Sequence, residues 1–208
     1  MRANVTMKVF DLTLPLHPGV AVRPGDPSVT FQLACSHERD GFQVTQLCLG
    51  SHSGTHLDAP RHFFPEGATT DQYPVERLVG PGVVVDCRFA GKRGGNESSS
   101  RGFLAEQLLA HPIPRGGFVI LWLEGGLVDT EAAELLLELG VSLVGTDGPS
   151  LDEPPYPVHR LLLKHGVLLA ENLSGLETLG VGPANFAFLP LALVEADGAP
   201  IRAIAWRD

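Results

Sequence analysis

Basic residues are scarce in this sequence. Its 208 residues contain 15 Lys and Arg against 24 Asp and Glu, which gives a formal net charge of −9 with the eight histidines counted as neutral. Phosphate groups and anionic lipids are bound by clustered Lys and Arg, so this deficit argues against nucleic acid and a membrane surface as partners. No apolar run reaches the roughly 18 residues that a transmembrane helix needs, and none is predicted.

Cysteine is also rare, occurring only as Cys35, Cys48 and Cys87. An odd number at wide spacing, with no CxxC pair, favours reduced thiols packed in the core over a disulfide or a catalytic thiol. The segment from Met1 to Asp11 lacks the continuous apolar stretch of a signal peptide. A cytoplasmic location is therefore the default expectation.

Turn residues are abundant, with 24 Gly and 17 Pro cutting the chain into short elements. Strand patterns come first, a β-α-β-α-β alternation follows, and two more strand patterns end the chain. This order predicts a single compact α/β domain over residues 1–208, with a mixed sheet that is parallel around residues 117–171. The polar stretch 90–101 is expected to form a mobile surface loop. Helices are predicted over Phe103–His111, Thr130–Leu139 and His159–His165, and buried strands over Gly82–Phe89, Phe118–Trp122 and Val167–Ala170.

The most informative segment carries four side chains that can bind a metal, namely His52, His56, Asp58 and His62. All four have even numbers, and residues of equal parity point to one face of an extended chain. Imidazole nitrogens together with a carboxylate suit Zn, Mn or Fe(II). The alternative is a polar loop whose histidines only satisfy local hydrogen bonds. Four such groups at this spacing favour a metal site.

Three of these groups suffice as ligands, which leaves His62 as a candidate proton carrier because an unperturbed imidazole pKa of about 6.5 suits that task. His62 could instead be a fourth ligand or a surface residue. His159 and Glu171 are candidates for closing the site. Glu171 follows an apolar strand pattern, where a carboxylate needs a charged partner or a metal.

Residues 52–63 read HSGTHLDAPRHF, which resembles the signature of the cyclase-like metal-dependent hydrolases, a family that includes bacterial kynurenine formamidases and isatin hydrolases. Further similarity follows in the same order along the chain. Residues 11–16 resemble the family's opening segment, and 24–27 its PGDP turn. Residues 145–152 resemble a GxDxPSxD segment, and 159–173 the second metal segment. The resemblance covers nearly the whole chain.

The resemblance implies a compact α/β domain of the swivelling β/β/α type that assembles as a homodimer or homotetramer. It implies that His52, His56 and Asp58 bind a divalent metal, with Asp58 and Glu171 bridging two ions in a two-zinc site and His159 holding the second. His62 would be the general acid and base. The implied reaction is hydrolysis of a C–N bond in an amide, formamide, lactam or imide by metal-bound hydroxide. Zinc is the expected metal, as one or two ions, and manganese is the alternative.

One position departs from the family pattern. Kynurenine formamidases carry an aromatic residue just before the Pro-Gly-Asp turn, and this chain carries Arg23. Arg23 could stack on a substrate ring, pair with a substrate carboxylate, or simply be an exposed loop residue. The identity of the small-molecule substrate is therefore open.

Three further polar residues are candidates for supporting the ligands. Thr55 lies between two of them, and Thr146 and Asp147 are expected to hold a ligand imidazole. The alternative for Thr146 and Asp147 is a turn with its own Asx-type hydrogen bonds.

Two other functions are compatible with these residues. His56, Asp58 and His159 could form the 2-His-1-carboxylate triad of an Fe(II) oxygenase. However, His52 and Glu171 would then be surplus, and no Arg stands about ten residues after His159 to bind a co-substrate. A catalytically inactive metal-binding protein of the same fold is the other alternative.

Overall fold

One sheet dominates the computed structural model, which describes the backbone of residues 7–88 and 98–207 and the side chains of 7–88 and 103–207. The described strands are β1 Lys8–Asp11, β2 Thr30–Cys35, β3 Val44–Cys48, β4 His56–Asp58, β5 Val79–Asp86, β6 Phe118–Trp122, β7 Leu143–Thr146, β8 Leu168–Glu171, β9 Gly182–Pro190 and β10 Gly198–Arg207. The described helices are α1 His37–Asp40, α2 Ser98–Leu109, α3 Thr130–Glu138, α4 Pro157–Lys164 and α5 Leu176–Leu179. Short 3-10 turns span Pro60–His62, Thr70–Gln72 and Val75–Arg77.

The main sheet closes on itself. Its strand order is β1-β10-β4-β8-β7-β6-β5-β9, and β9 also pairs with β10. Strands β5, β6, β7 and β8 run parallel, whereas β4, β9 and β10 are antiparallel to their neighbours. This arrangement confirms the predicted single compact α/β domain with a mixed sheet, including its parallel segment, and gives it a barrel-like closure.

The two faces of the parallel strands bury different clusters. Val83 and Val119 pack outward in a cluster shared with α2, α3 and α4, while Val84, Phe118 and Ile120 pack in the cluster inside the closed sheet. Strands covered on both faces become continuous apolar runs, which explains the uninterrupted pattern of Phe118–Trp122. No helix among the described residues has the length and hydropathy of a membrane span.

Strands β2 and β3 form a separate two-stranded ribbon. No residue of either strand is buried. Phe31 pairs with Leu47 across the ribbon, and Leu33 pairs with Thr45, so these apolar side chains share one exposed face. Isolated two-stranded ribbons are marginally stable in water, so this ribbon depends on the rest of the molecule or on a partner.

Two sequence predictions need correction here. Residues 98–101 of the expected loop belong to α2, because serine is a favourable residue at a helix start and the apolar spacing beyond it continues the helix. The other residues of that predicted loop, 90–97, lie outside the described residues. The three cysteines are free thiols, but only Cys87 is in the core, since Cys35 is half-buried and Cys48 is exposed on the ribbon.

Candidate metal centre

Strand β4 places two of the candidate ligands on one face. Leu57 points into the cluster inside the closed sheet, so its neighbours His56 and Asp58 project to the opposite side. On one flank, His56 stands directly opposite Glu171 of β8 in the antiparallel register. On the other flank, Asp58 stands opposite Gly198 of β10. His56 and Asp58 thus lie on one face of β4, as their spacing predicts. The pairing of β4 with β8 places Glu171 beside them.

His52 reaches this face from the turn that precedes β4. Its Nδ1 lies 2.7 Å from Oδ1 of Asp58. Gly54 adopts a φ of +63° within this turn, where a side chain is strained, and a Cβ there would meet the Leu16 side chain at 2.7 Å, so glycine is favoured. A Cβ on Gly198 would approach Cε1 of His52 at 2.6 Å. The imidazole of His52 is therefore packed directly over the start of β10.

His159 completes the cluster from helix α4. Its Nε2 lies 3.0 Å from Oε1 of Glu171 and 3.8 Å from Oδ2 of Asp58. Its Nδ1 contacts the carboxylate of Asp152, whose other oxygen accepts the Val158 N–H at 2.6 Å. Asp152 therefore orients the imidazole and also satisfies a free N–H in the first turn of α4.

Neighbouring carboxylates raise the pKa values of the buried imidazoles. Burial is the largest single influence on the pKa of His56 and lowers it, but Asp58 and Glu171 together raise it to about 10. The pKa values of His52 and His159 are each raised to about 9 in the same way, by neighbouring carboxylates that outweigh burial. Burial raises the pKa of Asp58, and the adjacent imidazoles hold it well below its usual value. Binding of a cation would release the imidazole protons.

The donor set fits a divalent metal. His52, His56 and Asp58 form one group whose ligand atoms lie within 4.8 Å of one another, and Asp58, His159 and Glu171 form a second. Asp58 belongs to both groups. Imidazole nitrogen and carboxylate oxygen are ligands suited to Zn and Mn. The structure thus brings together all five ligands predicted from the sequence.

His62 lies beside this cluster rather than within it. It ends the 3-10 turn Pro60–His62, its ring centroid is 4.0 Å from that of His52, and its side chain is 30% exposed. Its Nδ1 is 3.3 Å from Oδ2 of Asp197, and the same oxygen lies 2.8 Å from Nε2 of His52. These two imidazole contacts hold the pKa of Asp197 far below its usual value. His52, His62 and Asp197 are a third group within 4.8 Å.

Sequence reasoning missed Asp197. It stands more than a hundred residues from the histidine segment, next to a glycine, where an acidic residue usually indicates only a turn. The pairing of β4 with β10 brings it to the site, and no local pattern records that pairing.

Arg23 lies at the rim of the site. Its Nη1 donates to the Tyr156 hydroxyl at 3.2 Å, and its Nη2 donates to the Pro149 carbonyl at 3.4 Å. The Tyr156 ring is 5.7 Å from that of His159 and 5.5 Å from that of Phe63. Arg23 has no carboxylate partner among the described residues.

Thr55 connects the ligand strand with its surroundings. Its hydroxyl donates to the Asn172 carbonyl at 2.6 Å and accepts the Leu14 N–H at 2.7 Å. The Asn172 amide donates to the Gly54 carbonyl, which also accepts a hydrogen bond from Nδ1 of His56. Thr55 thus supports the turn that orients an imidazole.

The expectation that Thr146 and Asp147 hold a ligand imidazole is corrected. The Asp147 carboxylate accepts two backbone N–H groups that follow β6, at 2.8 and 2.9 Å. The Thr146 hydroxyl accepts the N–H of Gly148 at 3.0 Å. These are the turn hydrogen bonds of the alternative interpretation. Asp152, five residues further along, supplies the carboxylate that contacts His159.

A closed α/β sheet that carries a buried cluster of imidazoles and carboxylates at one face defines a protein with the donor set of a divalent-metal site. The comparisons with known proteins agree. The Cyclase family model, described as "Putative cyclase", matches residues 10–153. The chain is 32% identical to a kynurenine formamidase of Bacillus cereus, over 96% of this chain and 97% of that protein. It is 34% identical to a kynurenine formamidase of Salinibacter ruber, over 95% and 97%. The chain belongs to the cyclase family.

Solved structures show the same fold. A protein described as a potential metal-dependent hydrolase with cyclase activity superposes with a TM-score of 0.80 at 26% identity, covering 98% of this chain and 100% of the other. An isatin hydrolase bound to the product analogue thioisatinate superposes with a TM-score of 0.78 at 25% identity, covering 97% and 92%. None of these relatives favours the Fe(II) oxygenase or the inactive metal-binding protein.

Proposed function

We propose that this protein is a metal-dependent hydrolase that cleaves the C–N bond of an amide, with a formamide, lactam or imide as substrate. The observation that carries the proposal is the buried cluster in which Asp58 is shared by two groups of metal-competent side chains. Full-length similarity to kynurenine formamidases and structural similarity to an isatin hydrolase support the same reaction class.

His52, His56 and Asp58 would hold one divalent ion, and Asp58, His159 and Glu171 a second. Zinc is the proposed metal, with manganese as the alternative. A bound cation of this kind lowers the pKa of a coordinated water to about 7 and polarises a carbonyl oxygen. The protein contributes a buried position, with Asp58 and Glu171 each less than 5% exposed, and fixed imidazole orientations.

His62 is the proposed proton carrier. Hydrolysis breaks the C–N bond, the electron pair leaves with nitrogen, and that nitrogen must gain a proton. His62 takes a proton from the attacking water and delivers it to the leaving nitrogen. Its partly exposed position beside His52 supports this role, because a proton carrier must reach the substrate.

Arg23 is the proposed substrate-binding residue. Within the described part of the chain Arg23 has no carboxylate partner, and it is held against Tyr156, whose ring also contacts that of His159. Together with Phe63, these groups offer an aromatic and cationic rim. This rim favours an aryl amide that also carries a carboxylate as the substrate. The substrate's ring can pack on the aromatic side chains, and its carboxylate can pair with the guanidinium of Arg23.

We also propose a homodimer or homotetramer in the cytoplasm. The ribbon has no buried residue and presents Phe31, Leu33 and Leu47 on one face, which supports self-association, because burying apolar side chains on a second copy would stabilise a ribbon that is marginal alone. The three free thiols support a reducing compartment.

The test combines metal analysis with a substrate panel. The purified protein should contain or rebind zinc or manganese, and it should hydrolyse formanilides, isatin-like lactams or cyclic imides only when metal is present. His62→Ala should keep its metal and lose at least about a hundredfold in kcat. His37→Ala removes an exposed imidazole on α1 and is the matched control. Failure to bind metal, or unchanged turnover with chelator, would refute the proposal.

A further inference from the structure

Asp197 offers one carboxylate oxygen to two imidazoles. Oδ2 lies 2.8 Å from Nε2 of His52 and 3.3 Å from Nδ1 of His62. An ionised carboxylate only accepts hydrogen bonds, so the nitrogen of each ring that faces Asp197 must carry the hydrogen. For His62, this contact fixes the hydrogen on Nδ1 and leaves Nε2 as the nitrogen that can exchange a proton with a substrate.

The backbone holds the two side chains at a set separation. The Ala59 N–H donates to the Asp197 carbonyl at 2.9 Å, and the His62 N–H donates to the Ala59 carbonyl at 2.9 Å. Asp197 also comes immediately before Gly198, which pairs with Asp58 in the register of β10 and β4. Ala59, the residue that follows β4, therefore anchors the backbone of both Asp197 and His62.

We propose that Asp197 is a positioning residue that holds His62 in the Nδ1–H tautomer, with Nε2 directed to the leaving nitrogen of the substrate. This inference rests on the proposed function, since it assigns the proton carrier its orientation. It follows the general logic by which a carboxylate orients a catalytic imidazole through its Nδ1–H. The alternative to this role is that Asp197 is a metal ligand, because His52, His62 and Asp197 also form a group that could hold an ion.

The first measurement does not depend on turnover. Long-range ¹H–¹⁵N spectra of the zinc-loaded protein report the tautomer of each histidine, and His62→Ala identifies the signals of His62. We expect the Nδ1–H tautomer in the wild type and a tautomer mixture in Asp197→Ala. A His62 ring that is bound to metal, or that carries its hydrogen on Nε2 in the wild type, overturns the proposal.

The second measurement separates orientation of His62 from any effect through His52. At saturating metal, Asp197→Ala should lower kcat for formanilide by about ten- to a hundredfold, with KM changed by less than about threefold. The double variant Asp197→Ala/His62→Ala should be no slower than His62→Ala alone. Phenyl formate should be affected much less, because phenolate leaves without a proton. An additional loss in the double variant overturns the proposal.

Asp71→Asn is the matched control. Asp71 accepts the N–H of Glu195 at 3.1 Å and so supports the same loop without contacting either imidazole. Its kcat and its His62 tautomer should equal those of the wild type. If Asp71→Asn reproduces the Asp197→Ala changes, loop support rather than the carboxylate explains them, and the proposal is wrong. Wild-type protein that shows the expected tautomer but hydrolyses neither substrate refutes the proposed function alone.

Discussion

Replacing Asp152 by alanine should weaken the fold and metal binding together. Asp152 is 4% exposed and accepts two hydrogen bonds, one from the Val158 N–H in the first turn of α4 and one from Nδ1 of His159. Tyr156, at the N-cap position, provides no side-chain cap of its own. Asp152 therefore caps the helix that carries His159 and orients its imidazole.

The size of the effect follows from these contacts. Loss of a helix cap costs about 0.5–2 kcal/mol, and a buried donor left without an acceptor costs about 1–3 kcal/mol. We expect the metal-free Asp152→Ala protein to lose about 3 kcal/mol of unfolding free energy. For a chain of this length, the corresponding fall in Tm is about 6–12 °C. Removing the carboxylate that orients a ligand imidazole should weaken metal affinity by about 10–100-fold.

Denaturant unfolding of the metal-free protein and competition with a zinc chelator measure the two effects separately. Asp147→Ala is the matched control, because Asp147 also accepts two backbone N–H groups but contacts no imidazole. It should lose stability and keep its metal affinity within about threefold. Equal losses of metal affinity in the two variants would show that His159 does not depend on Asp152 and would refute the reasoning.

Three other outcomes are expected. Gly198→Ala should reduce metal affinity, measured by chelator competition, because its Cβ would meet His52 at 2.6 Å; wild-type affinity would contradict this. In the folded protein at pH 8, thiol reagent should label Cys48 and spare Cys87, because burial raises the pKa of the Cys87 thiol to about 12 and the thiolate forms only as the pH approaches that value; mass mapping checks this. Removing metal should lower Tm, and adding metal back should restore it, whereas an unchanged Tm would contradict preferential binding to the folded state.

Local sequence patterns predicted much of the fold and several of the candidate ligands. The apolar run Phe118–Trp122 matches β6 at both ends, because a strand buried on both faces leaves an unbroken run in the sequence. The parity of His56 and Asp58 followed from strand geometry alone. His159 and Glu171 were candidates from the sequence pattern, and the resemblance to a known family added their assignment to a second ion. Their contacts with each other and with Asp58 depend on the tertiary fold.

Side chains whose role arises from long-range pairing could not be recognised in this way. Asp197 reaches His62 through the β4–β10 pairing. Asp152, in contrast, reaches His159 through the local turn before α4, whose geometry the sequence pattern did not specify. Asp147 directly follows β7 and was the expected candidate, but its carboxylate accepts the backbone N–H groups of Leu123 and Glu124.

The late position of β10 in the chain has a consequence for biosynthesis. During translation, β4 emerges long before β10, with which it pairs, and β10 also closes the sheet against β9. A nascent chain that lacks β10 therefore exposes β4 and the ligands on it without their final neighbour. Because such distant contacts form slowly, we expect the ion to be captured firmly only after synthesis has passed Gly198.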